Sequence, residues 1–471
     1  MLNNIIQQEL GNVLSDDYRN LISLLFGKPN TFSDIVANVE DMALEFGRIM
    51  LSSLLELADK AIRQSPRTQK EFCIKDYRVR TITTEMGNIT FRRAYFRNRT
   101  TNEYCFLLDG LLGIEKYRRV DAKLRVKLCE FAADNSYQKT CDVYRNAVSK
   151  TSVMNFLREF KSYFENGIAV EETKDEIPKV LYIEADEDHV KYQDGSTHYE
   201  KMVFIHEGYE QVDKNHRRII NSHCIIGSFA EGDGNEALWD LLKCYINERY
   251  GKDAASKIKL YFTSDEGGWL KTCCKYLDVI QVIDKFHVVQ ACRRAVGGGF
   301  KWNSCNSLKK WVLSGDWKMV KLFKKVYLSD PTLSQKRKQS ATTNFNYLIR
   351  NSENIDNIRN TDYHGDSTEA HISHWLADRD SSRPGVWSQE GLDSVMFFRC
   401  CKINGVDVYK EYVNESRREA KKTAAEKFDK RVTQSRKIKD KYAELVYRVA
   451  SENPRVQAVI SAIGDTKMTN A

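Results

Sequence analysis

Residues 180–193 read VLYIEADEDHVKYQ, an apolar start that runs into four carboxylates, Glu184, Asp186, Glu187 and Asp188. The stretch alternates as a strand does. Extended backbone sends successive side chains to opposite faces, so Tyr182, Glu184, Asp186 and Asp188 share one face. Like charges at that spacing repel unless something positive sits among them. A divalent metal ion is the simplest counter-charge, and the rest of the chain must then supply its other ligands.

The segments that follow predict strands at 180–192, 199–207 and near 218–228, a helix over 235–249, a strand at 257–263, a helix over 267–276 and a short strand at 278–283. Three strands in meander, then helix and strand in alternation, is the order of an α/β mixed sheet of the ribonuclease H-like kind. A second acidic point lies in KIKLYFTSDEGGWL (257–270), where Asp265 sits just past the end of a strand. Reactive side chains collect at the carboxyl ends of strands in open α/β sheets. The third lies in HGDSTEAHISHWLADRDSSRPGVW (364–387). There Ser367 or Thr368 is placed to cap a helix that carries Glu369 near its start, with Ile372 and Leu376 along one side and His371 and His374 flanking the glutamate.

These residue types fit phosphoryl transfer. Two divalent ions about 3.5–4 Å apart can activate an attacking oxygen and stabilise the leaving one. Magnesium favours carboxylates and water, and phosphates complete its shell. One bridging aspartate with one further carboxylate per ion is economical, which nominates Asp186 as the bridge with Asp265 and Glu369. Asp188 is the alternative to Asp186 if the strand register slips, and Glu184 reads as a supporting group.

The bulk numbers set the frame. A chain of 471 residues divides into several domains, and 42 % hydrophobic with 29 % charged residues is ordinary globular composition. No apolar run approaches a membrane span and the start lacks a signal peptide's pattern, so the expectation is a cytoplasmic protein with no membrane partner. The twelve cysteines lack zinc-ligand spacing and read as reduced thiols. A net charge of +8 suits a polyanion partner.

Around the core, residues 1–70 read as helical, with Ser33 or Asp34 as cap and Phe46, Ile49, Met50, Leu54 and Leu57 as the apolar stripe. Residues 71–118 read as a basic β-hairpin region turning at Gly87-Asn88, with Arg78, Arg80, Arg92, Arg93, Arg97 and Arg99 available on it. Residues 119–170 give three helices in a cadence that suits a helix-turn-helix DNA-binding domain. After a charged linker at 171–179, the core occupies 178–288 and resumes at 361–400, with a helical, lysine-rich insertion at 289–360 and a basic helical C-terminal region at 401–471. Each of these charged stretches also reads as an ordinary solvated face.

Six stretches carry a family resemblance: TTEMGNITFRRAYF (83–96), DNSYQKT (134–140), YIEADEDHV (182–190), SDEGGWL (264–270), VIDKFHV (282–288) and HISHWLADRDSSRPGVW (371–387). With them the chain resembles bacterial insertion-sequence transposases of the ISLre type, a branch near the Mutator-like aspartate-aspartate-glutamate transposases. The resemblance implies a ribonuclease H-like catalytic core with an all-helical insertion, flanked by mainly helical DNA-binding regions. It implies Asp186, Asp265 and Glu369 as the catalytic, metal-binding triad and His287, in a D-x-x-H stretch with Asp284, as a group that orients DNA or a catalytic water. It further implies Mg²⁺, with Mn²⁺ as substitute, and DNA as partner, both element ends and target. Two DNA ends must meet, so self-association on DNA, as a dimer or larger, is expected, with a monomer free in solution as the alternative, and the expected location is nucleoid-associated. The competing classes are a metal-dependent nuclease that cuts without joining and a transposase-derived DNA-binding protein without catalysis.

Overall fold

The computed structural model describes residues 31–145, 147–165, 177–214, 216–229, 233–265, 268–297, 302–383 and 385–419. Expectations for the first thirty residues, for most of the 171–179 linker and for the tail past 419 lie outside the described residues. The chain divides into a compact unit ending at Val406 and a second unit from Asp407, whose described part is a helix over 408–419.

The first described element is α1 (Phe32–Gln64). Its cap is Thr31 rather than Ser33: the Thr31 hydroxyl accepts the Asp34 N–H, and the Asp34 carboxylate accepts the Thr31 N–H at 2.9 Å, a capping box. The expected stripe is also rotated. Leu51, Leu55, Ala58 and Ile62 pack on the neighbouring sheet, whereas Met50 and Leu54 are exposed. The polar side of the same turns decides the rotation. Glu56 accepts the Arg92 N–H at 2.8 Å and Asp59 accepts the Ala94 N–H at 3.1 Å, while Ser52 donates to the Thr90 carbonyl. Helix α1 thereby covers a strand edge that would otherwise be open to pairing.

That strand belongs to an antiparallel hairpin, β1 (Phe72–Thr84) and β2 (Gly87–Asn98), edged by β3 (Tyr104–Cys105). The turn is Glu85-Met86, two residues before the expected place, because Gly87 takes φ +103° and pairs directly with Thr84. Two of the six nominated arginines are not available. Arg93 is buried in an ion pair with Asp109 at 2.7 Å, and Arg80 approaches the same carboxylate at 3.8 Å. Arg78, Arg92, Arg97 and Arg99 are exposed.

Three helices follow as expected: α2 (Ala122–Asp134), α3 (Tyr137–Val143) and α4 (Lys150–Tyr163), capped by Asp121, Ser136 and Ser149. The five-stranded sheet then opens with β4 (Val180–Lys191) and β5 (Thr197–His206). A ribbon unforeseen from sequence, β6 (Tyr209–Gln211) with β7 (Arg217–Ile219), precedes β8 (His223–Gly227). Helix α5 (Asp233–Tyr250), β9 (Lys259–Ser264), a 3₁₀ turn over Leu270–Lys275 and β10 (Val279–Ile283) complete the first part of the core.

The strand order is β10-β9-β4-β5-β8, with β10, β9 and β4 parallel and β5 and β8 antiparallel to their neighbours. This mixed α/β sheet flanked by helices is consistent with a ribonuclease H-like fold. One face is dry: Leu181, Ile183 and Ala185 of β4 pack with Phe262 of β9 against Leu238, Trp239 and Leu242 of α5. The other face begins apolar, with Tyr182, Tyr261 and Val282, and turns acidic toward the carboxyl ends of the strands.

Helix α6 (Lys285–Val296) leads into the insertion, α7 (Trp302–Ser314), α8 (Trp317–Ser329) and α9 (Gln335–Arg350), which share a core around Leu308, Val312, Val320, Phe345 and Leu348. Trp311, Trp317 and Phe323 pack on that core, and Lys318, Lys321 and Lys325 stay exposed. After the glutamate helix, α10 (Gln389–Ile403) closes the unit. It packs against α2 and α4, with Phe160 edge-on to Phe398 at 5.9 Å and Arg399 bridged to Asp134 at 2.8 Å. The three-helix segment is therefore joined to the core through its apolar side.

Candidate metal centre

Strand register brings the acidic residues together. Parallel pairing of β4 with β9 ends at Glu184↔Thr263, and that of β10 with β9 ends at Ile283↔Ser264. Continuing both registers sets Asp186, midway along β4 and just past its pairing with β9, abreast of Asp265 and Asp284, which lie just past the carboxyl ends of β9 and β10. Asp284 is fixed there twice. Its amide donates to the Ser264 carbonyl at 3.1 Å, and its carboxylate caps α6 by accepting the Phe286 N–H at 2.7 Å.

The cap aims the first turn of α6 at this acidic edge. His287 Nε2 comes within 3.5 Å of Glu369 Oε1, and one ligand atom from each of Asp186, His287 and Glu369 lies within 4.8 Å of the others. Asp265 stands outside this trio of ligand atoms, yet its charge acts on both Asp186 and Glu369. Tyr347 of α9 donates to the Asp265 carbonyl at 3.4 Å, so the insertion braces the loop that carries it.

Glu369 comes from a segment built as a helical turn, Thr368–His371, a π-helical stretch, Ile372–Ala377, and a final turn, Asp378–Asp380. No side chain caps its start; instead Glu184 grips it. This carboxylate, 1 % exposed, accepts the Ser367 N–H at 2.9 Å and lies 3.0 Å from His371 Nδ1, with Tyr209 Oη at 3.3 Å and His206 Nε2 at 3.5 Å. Burial pushes the Glu184 carboxyl up, but the His206 and His371 imidazoles outweigh it and hold it down at about 2. The sequence marked Glu184 as a supporting group; His206 and Tyr209 gave no local signal.

The other carboxylates are poised the opposite way. Burial, assisted by the charges of Asp265, Glu369 and Glu187 and opposed by the Glu187 amide, lifts Asp186 to about 7. Burial also raises Glu369 despite His287, and it raises Asp284. Asp366 rises to about 7 through burial and the charge of Asp284, and it accepts the Tyr363 hydroxyl at 2.8 Å. These half-desolvated carboxylates outnumber the cations that act on them, His287 and Lys285, and oxygen donors joined by one imidazole nitrogen fit a divalent cation. Asp188 points elsewhere: it accepts the Ser381 hydroxyl at the far end of the glutamate helix. Arg379 and Arg383 hold that end to α2 through the Asn135 and Asp134 carbonyls at 3.2 and 2.7 Å. Trp387 stacks on Arg379 and donates to the Asp380 carbonyl at 3.1 Å.

With this geometry the chain compares as follows. The model of the Uncharacterised protein family (UPF0236) matches residues 29–418, and the chain belongs to that family. Two UPF0236 proteins of Caldanaerobacter subterraneus subsp. tengcongensis are similar to it. One is 28 % identical over 85 % of this chain and 82 % of its own length, the other 29 % identical over 82 % and 80 %. The name of the first joins eleven numbered designations and that of the second joins four. Among solved structures, a chain of the simian T-cell lymphotropic virus intasome in complex with PP2A regulatory subunit B56 gamma aligns at 11 % identity, over 56 % of this chain and 77 % of that one, with a TM-score of 0.14. No described helix is long and apolar enough to cross a membrane.

Proposed function

We propose that the chain is an insertion-sequence DNA transposase with a ribonuclease H-like core, in which Asp186, Asp265 and Glu369 hold divalent cations, Mg²⁺ or in its place Mn²⁺. One observation carries the reading: β4 holds Asp186 in register with Asp265 just past β9, and two further elements, α6 and the glutamate helix, bring His287 and Glu369 to Asp186. Cations at that set would polarise a phosphodiester and stabilise the departing oxygen. The protein's own part is placement. Glu184 fixes the start of the glutamate helix, Asp284 fixes α6, and His287 orients Glu369. Held against this frame, an element-end phosphodiester is attacked by water, its P–O3′ bond breaks, and the element's 3′-hydroxyl is freed with the 5′-phosphate left on the flank. That hydroxyl then attacks a target phosphodiester, joins its 5′-phosphate and releases a target 3′-hydroxyl, with no covalent protein intermediate.

The surface supports a polyanion partner. On the hairpin, Arg78 lies over the Tyr95 ring at 4.0 Å and Arg92 over Tyr77 at 4.7 Å, beside the exposed Tyr104. Lys318, Lys321 and Lys325 line the exposed side of α8. One sequence carried under eleven designations in one organism is also what a self-copying element leaves behind. The proposed partners are element ends and target DNA, with two or more chains joining the ends, in the cytoplasm at the nucleoid.

The test is release of a labelled strand from DNA bearing candidate element ends, with Mg²⁺ or Mn²⁺, comparing the native chain with Asp186→Asn, Asp265→Asn and Glu369→Gln. Metal-dependent cutting and joining lost in all three, with DNA binding kept, is the expected result. Cutting without joining would leave a nuclease; normal cutting by all three variants would refute the site.

A further inference from the structure

We propose that Asp188, Glu200 and Asp380 form a second divalent-cation site, distinct from the Asp186 group, that clasps the far end of the glutamate helix to the sheet. The β4–β5 register sets Asp188 directly opposite Glu200. Like charges so placed are destabilising. The glutamate helix brings a third carboxylate to the pair: Ser381 donates to Asp188, and Asp380 beside it interacts with Asp188 and, through its charge, with Glu200. Glu200 is 1 % exposed and Asp380 3 %.

These buried groups are short of donors. No donor reaches either carboxylate oxygen of Asp380 or Oε1 of Glu200, all buried, and Asp380 lies close enough to the Asp188 carboxylate for the two to share a proton. Ser228 Oγ stands 2.6 Å from Glu200 Oε2 and 2.8 Å from Asp393 Oδ1, but one hydroxyl has one proton and satisfies only one of them. The nearby guanidiniums make their hydrogen bonds elsewhere, Arg379 with the Asn135 carbonyl, Arg383 with Asp378 and the Asp134 carbonyl, Arg399 with Asp134 and the His374 and Trp375 carbonyls; Arg399 meets Asp380 only through its charge, and none donates to Asp380 or Glu200. Burial accordingly lifts Glu200 and Asp380 to about 8. An all-oxygen set selects a hard cation. Among the described residues only the Asp186 group brings three ligand atoms within 4.8 Å, so this wider site suits an ion that keeps part of its water shell, as magnesium does.

The inference does not rest on the transposase reading, because its test removes that site. The full chain carrying Asp186→Asn, Asp265→Asn and Glu369→Gln is titrated with Mn²⁺ and followed by electron paramagnetic resonance. About one Mn²⁺ per chain should remain, with a thermal midpoint raised by roughly 5 °C at a hundredfold excess over the dissociation constant. Adding Asp380→Asn and Glu200→Gln should weaken binding at least about tenfold and abolish the rise. Terbium offers a check that needs neither change. Trp387 touches Asp380, so tryptophan-sensitised emission from the triple variant should fall on Trp387→Phe and be quenched by Mn²⁺. No bound Mn²⁺ in the triple variant, unchanged affinity after the two further substitutions, or emission indifferent to Trp387 would each overturn the site. So would stabilisation by Asp380→Asn without any response to metal, which would mean that shared protons neutralise the cluster.

Discussion

Asp186→Asn should make the cation-free chain more stable at alkaline pH, although it removes a ligand of the proposed metal centre. The carboxyl rises from 3.8 to about 7 in the folded chain, chiefly through burial. The sign follows directly: the folded state holds this proton more tightly than the unfolded one, so its ionised form weakens the fold. Below about pH 4 the group contributes nothing; the penalty grows through the window from 3.8 to 7 and is complete above it. At 1.36 kcal/mol per pH unit the full penalty is about 4 kcal/mol, and partial access to water reduces it to roughly 2–4 kcal/mol. Asparagine keeps an acceptor for the Glu187 N–H, which now donates to Asp186 at 2.8 Å. Urea unfolding in a chelator at pH 5, 7 and 9 measures the difference. The variant should gain on the native chain between pH 5 and 8, and saturating Mg²⁺ or Mn²⁺ should reverse the order, because only the native chain gains the stabilisation of the Asp186 site on top of any metal bound at Asp188, Glu200 and Asp380. A variant less stable than the native chain at pH 9 without metal, or a gap independent of pH, would refute the claim that this carboxylate is held against its charge.

Three further outcomes are expected. Glu184→Gln should cost about 3 kcal/mol near neutral pH, because the native carboxyl lies at about 2 instead of 4.5; that stability is present above pH 4.5 and lost as pH falls toward 2, so the gap measured in urea should shrink at pH 3. Asp109→Ala leaves Arg93, 4 % exposed, without its partner and should destabilise the chain by about 3–5 kcal/mol in the same assay. Trp239→Ala opens a cavity under the dry face of the sheet and should cost about 3–5 kcal/mol, read as a lowered thermal midpoint.

What was legible in sequence was local or periodic. Caps at Asp121, Ser136 and Ser149 mark three helices by their own side chains, and alternation marks β4 and β9. The orientation of α1 was not legible, since apolar residues run along more than one of its faces. Its rotation is decided by Ser52, Glu56 and Asp59 meeting the backbone of β2, more than thirty residues away. The hairpin turn was misplaced because Gly87 supplies the positive φ at the first strand residue and not inside the loop. For the candidate site, Asp186, Asp265 and Glu369 are marked by position in their elements, and the structure gathers Asp186 and Glu369 with His287 while Asp265 stays outside that trio; the grip of Glu184 on Ser367 and His371 spans 183 and 187 residues. Asp188 shared the strand face with Asp186 in sequence, and only the position of Ser381 and Asp380 separates their surroundings.

The π-helical stretch after Glu369 follows from the same two anchors. Along the glutamate helix the buried residues are Thr368, His371, Leu376, Arg379 and Asp380. A regular helix returns to one face after three or four residues, so His371 would be followed inward by His374 or Trp375. The step to Leu376 is wider by one residue, and Ile372–Ala377 is where the helix takes its wider π turn. That added residue lets His371 meet Glu184 at one end while Asp380 faces Asp188 and Glu200 at the other. Without it, one anchor could be kept only by rotating the other away. The wider turn is the local cost of holding Glu369 over Asp186 from both sides, in keeping with the tendency of such turns to sit at functional sites.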